Sequence, residues 1–528
     1  MAASGTHPVD TSAAMIQTPV ALADWLVIAP TVITVMGAAI CLMTRKNTSL
    51  QPRLGILFLI ALVAADIGLL ARVAEHGPLT MTMGRWLPPF GIAFTVDMTG
   101  AVLATVAGIV ALVCGVYAID DIDRSSRRYG FYPFLLLLMA GVTGSFLTGD
   151  IFNLYVWFEV MVISSFGLLI LGSEREQLDG AIKYTFLNLL ATNLFLIATG
   201  YLYGVSGTLN MADIARTVKG LESTAPIVTI ASLYFMAFAM KAAAFPVNFW
   251  LPAAYHTPRV VVSALFAGLL TKVGIYALAR TMLMLFPDSL ALMRDLAVWV
   301  AVLTLLTGSL GALAQSDVRR LFGYLVIAGI GSMIAGIAIG TPEAVSAMIF
   351  YAIHSILVMT ALYLILGIMT RLCRSHELNG LGGLYRASPL LAGLFLVLAL
   401  AVSGLPPFSG FWPKVILVTA ALRQEFNWLA GFLLLSGLLT TLAMGRVWIM
   451  AFWRGGPLGT IDGDNRALPA LEPAQRPSAR DLGPVTVLVM LVIIFGVLPD
   501  PVIRIASAGA QGLIDPSSYI QSVFGSPR

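Results

Sequence analysis

The feature that most constrains this chain is a succession of apolar runs, each of a length that crosses a bilayer. About 20 helical residues span ~30 Å of hydrocarbon. Such runs lie at 25–43, 54–73, 95–118, 132–148, 150–171, 181–204, 226–252, 259–286, 296–314, 319–340, 343–370, 389–423, 427–453 and 484–503. In lipid each backbone polar group must be satisfied within its own segment, so every run is predicted to be a helix. Fourteen runs with no long polar linker between them predict an all-α integral membrane protein of one membrane domain. Composition agrees: hydrophobic residues are 58% of the 528 and charged residues 11%, too little charge to clothe a water-soluble surface.

What else composition allows is narrow. The formal charge of +4 comes mostly from Arg in short loops, with no basic patch interleaved with aromatics, which argues against nucleic acid as a partner. Cys41, Cys114 and Cys373 are scattered in or beside apolar segments, without zinc or iron–sulfur spacing, and read as small buried hydrophobes. No phosphate-binding loop and no histidine pair suited to haem or quinone is present, so no cofactor is expected, and a metal site stays undefined. Residues Met1–Ala23 lack the order of a cleaved signal, whereas Trp25–Met43 can serve as an uncleaved insertion signal. The first helix is therefore expected to stay.

Basic loops resist translocation, so Lys and Arg report orientation. Loops after odd-numbered runs hold seventeen of them, from Arg45 to Arg480 and including Arg454, Arg466 and Arg476; loops after even-numbered runs hold six. That places the odd loops in the cytoplasm, both termini outside, and Arg454–Pro484 in a cytoplasmic loop. Proline breaks two over-long helices. The seventh run carries Lys241-Ala-Ala-Ala-Phe245-Pro246, and the twelfth carries Gly404-Leu405-Pro406-Pro407-Phe408-Ser409-Gly410-Phe411-Trp412-Pro413-Lys414. Each is the fourth helix of a five-helix series, helices 4–8 and 9–13, and an odd-numbered unit inverts when it repeats. The expected division is an N-terminal three-helix segment (1–130), two inverted five-helix repeats (131–286 and 287–453), and a cytoplasmic loop with a last helix (454–528).

Charges inside these helices carry the chemistry. An ionised side chain at mid-membrane costs at least ~2.5–3.5 kcal/mol on insertion scales, so it requires a partner, water or a function. Glu159 lies about nine residues, or ~13 Å, into its helix. Lys241, Lys272 and Lys414 fall at a similar depth, the first and last beside the proline breaks. Buried carboxylates and lysines are pushed towards neutrality and drawn back by opposite charge, which poises them to exchange protons. The inferred relay is a Glu159–Lys241 pair whose separation lets a proton pass to Lys272, then His354, then Lys414; a static ion pair with snorkelling lysines is the other reading. His354 suits a relay by its pKa and equally suits helix packing. Lys183 reads as an interface anchor, Asp97 and Asp150 as helix caps, and Asp66, Arg280 and Arg446 stay open.

Several long blocks resemble the D subunit of Mrp-type multisubunit monovalent cation/proton antiporters. They are Phe131-Tyr-Pro-Phe through Asp150-Ile-Phe-Asn-Leu-Tyr-Val-Trp-Phe-Glu159; Ile182-Lys-Tyr184 with Leu187-Asn-Leu-Leu190; Gly204 through Asp213; and Lys241 through His256-Thr-Pro. The resemblance covers about residues 25–450. It implies the fold shared with the antiporter-like subunits of respiratory complex I, with a hydrophilic axis at mid-membrane. It further implies that Glu159, Lys241, Lys272 and Lys414 match the family's essential carboxylate and lysines. The chain departs at Asp317-Val-Arg319-Arg320-Leu-Phe-Gly-Tyr324, where relatives commonly have Lys-Arg and then small hydroxylated residues, which puts a polar path there in doubt. The implied function is a proton-translocating subunit of a Na⁺ (or K⁺)/H⁺ antiporter, with other subunits, H⁺, the cation and membrane lipids as partners. The alternative is a proton-pumping subunit of an NADH:quinone oxidoreductase or membrane-bound hydrogenase. A purely structural subunit without an ion path is a third reading.

Overall fold

The computed structural model describes residues 14–17, 20–221, 225–456 and 477–525. Arg466 and Arg476, with most of the loop assigned to the cytoplasm, lie outside the described residues. Among the described residues, twenty-three α-helices and one hairpin follow in chain order: α1 (Ala29–Met43), α2 (Leu50–His76), β1 (Leu79–Thr82), β2 (Ala93–Val96), α3 (Met98–Asp121), α4 (Arg124–Tyr129), α5 (Phe131–Leu147), α6 (Ile151–Leu169), α7 (Arg175–Ser206), α8 (Met211–Leu221), α9 (Ile227–Ala242) and α10 (Trp250–Tyr255). After these come α11 (Val260–Leu265), α12 (Thr271–Ala279), α13 (Pro287–Leu292), α14 (Arg294–Ala314), α15 (Val318–Ile339), α16 (Pro342–Cys373), α17 (Leu384–Ala387), α18 (Pro389–Ser403), α19 (Phe411–Arg423), α20 (Asn427–Trp448), α21 (Ala479–Val497), α22 (Asp500–Ile514) and α23 (Ser517–Phe524). A π turn at Phe266–Leu270 joins α11 to α12, and others at Arg280–Leu285 and Ile449–Trp453 prolong α12 and α20.

Ten helices among the described residues are long and apolar enough to cross a membrane, and α1, α5, α9 and α18 are shorter apolar helices. The protein is a multi-pass membrane protein. Its layering follows from which helices are apolar all round and which only outward. Val260–Leu285 and α16 are wholly buried in their apolar windows and form the centre. Peripheral helices expose apolar stripes instead: Ile182, Phe186, Leu189 and Leu190 on α7, and Leu434, Leu438 and Leu442 on α20. Such stripes suit a lipid surface, where an exposed leucine costs nothing.

Local chemistry sets the ends. Asp97, Asp150, Asp317, Thr341 and Ser388 each accept a backbone N–H as helix N-caps. The caps read from sequence at Asp97 and Asp150 are therefore present. Boundaries shift where the chain carries other signals. The third run begins in β2, which pairs antiparallel with β1 in the register Leu79↔Val96, so its helix starts only at Met98. The last run stops at Val497, before Leu498-Pro499, and α22 follows as a separate helix.

Both proline-broken helices end in the same way. Ala243 (φ +62°) and Gly404 (φ +84°) adopt the left-handed conformation after α9 and α18. Ala244 N–H donates to Ala239 O (2.8 Å) and Ala243 N–H to Met240 O (3.1 Å). Leu405 N–H donates to Leu400 O and Gly404 N–H to Ala401 O, both at 3.0 Å. Each is a Schellman closure followed by an irregular link and a second helix, α10 or α19. The helices thus stop and restart around the prolines.

Candidate functional site: a line of ionisable groups through the centre

Beginning at the first break, Lys241 occupies the last turn of α9 and is 4% exposed. Its Nζ donates to Thr192 Oγ1 on α7 (2.9 Å) and lies 4.8 Å from the centroid of the Phe158 ring on α6. Glu159, the next residue on α6, is within electrostatic reach, but the two side chains do not make an ion pair at contact distance. The Glu159–Lys241 pair read from the sequence is thus present here as neighbours without a contact ion pair, with Lys241 resting on Thr192 and Phe158. Glu159 Oε1 is buried without a hydrogen-bond partner among the described residues.

From Lys241 the line passes to the central helix. A Cβ on Gly274 of α12 would fall 2.8 Å from Ala242 N and 3.1 Å from Lys241 C, so only glycine lets α12 lie against the end of α9. Lys272, two residues earlier and 1% exposed, donates from Nζ to Ala267 O (2.6 Å) inside the π turn. A π turn widens the hydrogen-bond ladder, and here its carbonyl receives the ammonium. On the other side, a Cβ on Gly268 would collide with Thr360 Oγ1 of α16, and Thr360 Oγ1 donates to Ala264 O (3.3 Å). The Lys272 helix is thereby clamped between the helices of Lys241 and His354.

His354 lies on α16, 1% exposed, with Nδ1 2.8 Å from Ser409 Oγ in the second break. Lys272 and Lys414 are both within electrostatic reach of it. Lys414 of α19 turns back across the break and donates to Val402 O (2.9 Å) and Ser403 O (2.8 Å), terminal carbonyls at the negative end of α18. A cavity of about 460 Å³ lies beside it, lined by Lys414, Ser403, Tyr351, Ser332 and Thr440.

A second cavity, about 630 Å³, opens among α7, α10 and α15 and is lined by Asp179, Lys183, His256, Asp317, Arg320 and Tyr324. Lys183 forms an i,i+4 ion pair with Asp179 there. Burial, reinforced by Arg320, holds His256 below the ordinary histidine range. Its neutral ring can donate from Nδ1 to Pro252 O (2.9 Å) and accept at Nε2 from Arg320 (3.1 Å). The Arg319-Arg320 departure thus coexists with a polar cavity. Arg446 caps carbonyls of Leu313 and Gln315 at the end of α14. Asp66 is fully buried on α2, and neither carboxyl oxygen has a hydrogen-bond partner among the described residues.

Sequence reasoning missed Thr192, Ser409 and the ion pair of Arg280 with Asp97, whose atoms meet at 2.8 Å. Ser409 had a signal, since it sits in the second proline cluster. Thr192 had none. Among the described residues no three His, Cys, Asp or Glu side chains converge as a metal site.

A multi-pass helical protein whose interior carries a carboxylate, three lysines and a histidine in contiguous packing defines a class of ion-handling membrane protein. The family model described as "NADH:quinone oxidoreductase/Mrp antiporter, TM" matches residues 148–440, and the chain belongs to that family. The D subunit of a Na(+)/H(+) antiporter from Alkalihalophilus pseudofirmus is 38% identical over 499 residues, covering 94% of this chain and 99% of that one. A chain in the structure of the Mrp complex from Dietzia sp. DQ12-45-1b superposes with a TM-score of 0.89 at 28% identity, covering 96% of this chain and all of that one. Respiratory complex I from Thermus thermophilus contains a chain at TM-score 0.79 and 22% identity, with 93% of this chain and all of that one covered, which is a likeness of fold.

Proposed function

We propose that the chain is the proton-translocating D-type subunit of a multisubunit Na⁺ (or K⁺)/H⁺ antiporter of the cell membrane, a transporter subunit and not a catalytic enzyme. Its partners are the other antiporter subunits, H⁺ and the monovalent cation. The observation that carries this is near-full-length similarity, at 38% identity, to a protein named for that role. Packing supports the proton path: Lys241, Lys272 and His354 lie on helices that touch through Gly274 and Gly268, and Ser409 links His354 to the break that Lys414 closes. In this reading Glu159 modulates Lys241 through space, and a proton moves Lys241 to Lys272 to His354 to Lys414. The ten long and four shorter apolar helices make fourteen spans, with inverted repeats over 131–286 and 287–453, an N-terminal segment 1–130, a final segment 454–528, and both termini outside. The matching closures at Ala243 and Gly404 support the repeat.

In everted vesicles carrying the whole complex, Lys241→Ala and Glu159→Ala are expected to abolish cation-dependent proton flux while assembly persists; native flux would reject the relay. The purified complex should also exchange cations for protons with neither NADH nor quinone present. Strict dependence on electron transfer would instead assign the chain to a redox-driven pump.

A further inference from the structure

The cavity beside Lys414 has two unlike walls. Ser332, Tyr351, Ser403 and Thr440 line it from within the bundle, and all four are buried. Leu434 and Leu438 of α20 line it from the outside, 63% and 57% exposed, with the exposed Val415 of α19 beside them. Exposed apolar side chains of this kind suit a lipid surface. The cavity therefore opens sideways between α19 and α20, from the apolar face of the protein to polar groups inside it. Its volume of about 460 Å³ is that of a small-molecule site.

Lys414 stands at this cavity half-buried, whereas Lys241 and Lys272 are buried. An ammonium has three N–H donors, and Val402 O and Ser403 O take two of them. No carboxylate among the described residues forms an ion pair with it. A charge inside an apolar span requires a partner or water. An occupant that satisfies both walls brings an acidic head to Lys414 and an apolar body to the leucines. It is also narrow. An α-helix is about 10–12 Å across, so the cavity would hold about one turn of one, and a partner's helix would lie over the mouth without filling it. A single acyl chain ending in a carboxyl group meets all three demands. Its carboxylate and the Lys414 ammonium form a charge-assisted hydrogen-bonded pair of zero net charge.

We propose that this cavity is a lateral binding site for a long-chain fatty acid, its carboxylate on Lys414 Nζ and its chain running out between α19 and α20. The site does not depend on the order of the proton path. The competing account is ordinary contact with bilayer lipid, and the test separates the two.

Palmitic acid carrying a diazirine on its chain is the probe. It is added to the whole complex in phosphatidylcholine nanodiscs and irradiated, and the labelled residues are read by mass spectrometry. Label is expected on the cavity wall at Val415, Leu434 or Leu438. Excess palmitate should displace it, while hexadecanol, the same chain without the acid, should not. Equal displacement by both would show ordinary lipid contact, and no label at the wall would show a mouth closed in the complex; either result overturns the site. Two variants separate head from chain. Lys414→Met should lower the palmitate-displaceable label about 10-fold or more, as for loss of a hydrogen bond to a charged group. Gly437→Leu keeps the lysine and fills the cavity, since a Cβ there meets only Ser403 O, at 3.8 Å. It should lose the label as well, and full label in either variant overturns the site. Should Lys414→Met not assemble, Gly437→Leu and the hexadecanol comparison on the native complex decide.

Discussion

Lys414 is held by two carbonyls that a regular helix would have used internally, and the left-handed turn at Gly404 aims them. A Cβ on Gly404 would lie 2.5 Å from Lys414 Cδ, and a left-handed non-glycine residue costs roughly 1–2 kcal/mol. Gly404→Ala is therefore expected to lower both thermal stability of the complex and proton flux. Ala243 already sits left-handed at the corresponding closure, so Ala243→Gly should leave flux intact and raise stability by up to ~1 kcal/mol, measured by thermal unfolding in detergent. Thr192→Val removes the acceptor of a buried ammonium, a loss of about 1–3 kcal/mol or more. Its flux should drop severalfold while Thr192→Ser stays near native; equal rates in both variants would show that the hydroxyl is irrelevant. Ser409→Ala tests the equivalent contact at His354.

Among the elements, the central helix holds Lys272 between the helices of Lys241 and His354. Its π turn gives Lys272 a carbonyl, and its glycines admit α9 on one side and α16 on the other. Gly274→Leu should push α12 away from Lys241, with an overpacking cost of about 1–3 kcal/mol and loss of flux in vesicles normalised for assembled complex. The sequence shows where helices break, because proline and glycine act locally, and both interruptions are legible at Pro246 and Pro406-Pro407. It also points to Lys241 and Lys272 as buried, since each lies deep in an apolar run, whereas Lys414, read the same way, is half-buried. It does not show the π turns, which depend on what packs outside the helix, nor the hairpin start of the third run, which depends on β1 pairing with β2.

For the whole molecule, the arginine distribution predicts an orientation that can be checked directly. A cysteine introduced at Gly455, just after α20 and its π turn, should react with an impermeant reagent only from the cytoplasmic side; labelling from outside would invert the topology. Hydropathy and proline along the chain by themselves determined that this protein is a membrane protein built as a bundle of apolar helices, two of them broken, with charges set inside the apolar runs. These properties follow from length, solvation cost and proline, none of which needs a distant contact. Only the tertiary structure decided which groups meet. It set Lys241 on Thr192, with Glu159 held off, His354 on Ser409, and Arg280 on Asp97, pairings between segments far apart in the chain. Such contacts are governed by how each helix is rotated about its axis, and that rotation is chosen by the packing of its neighbours.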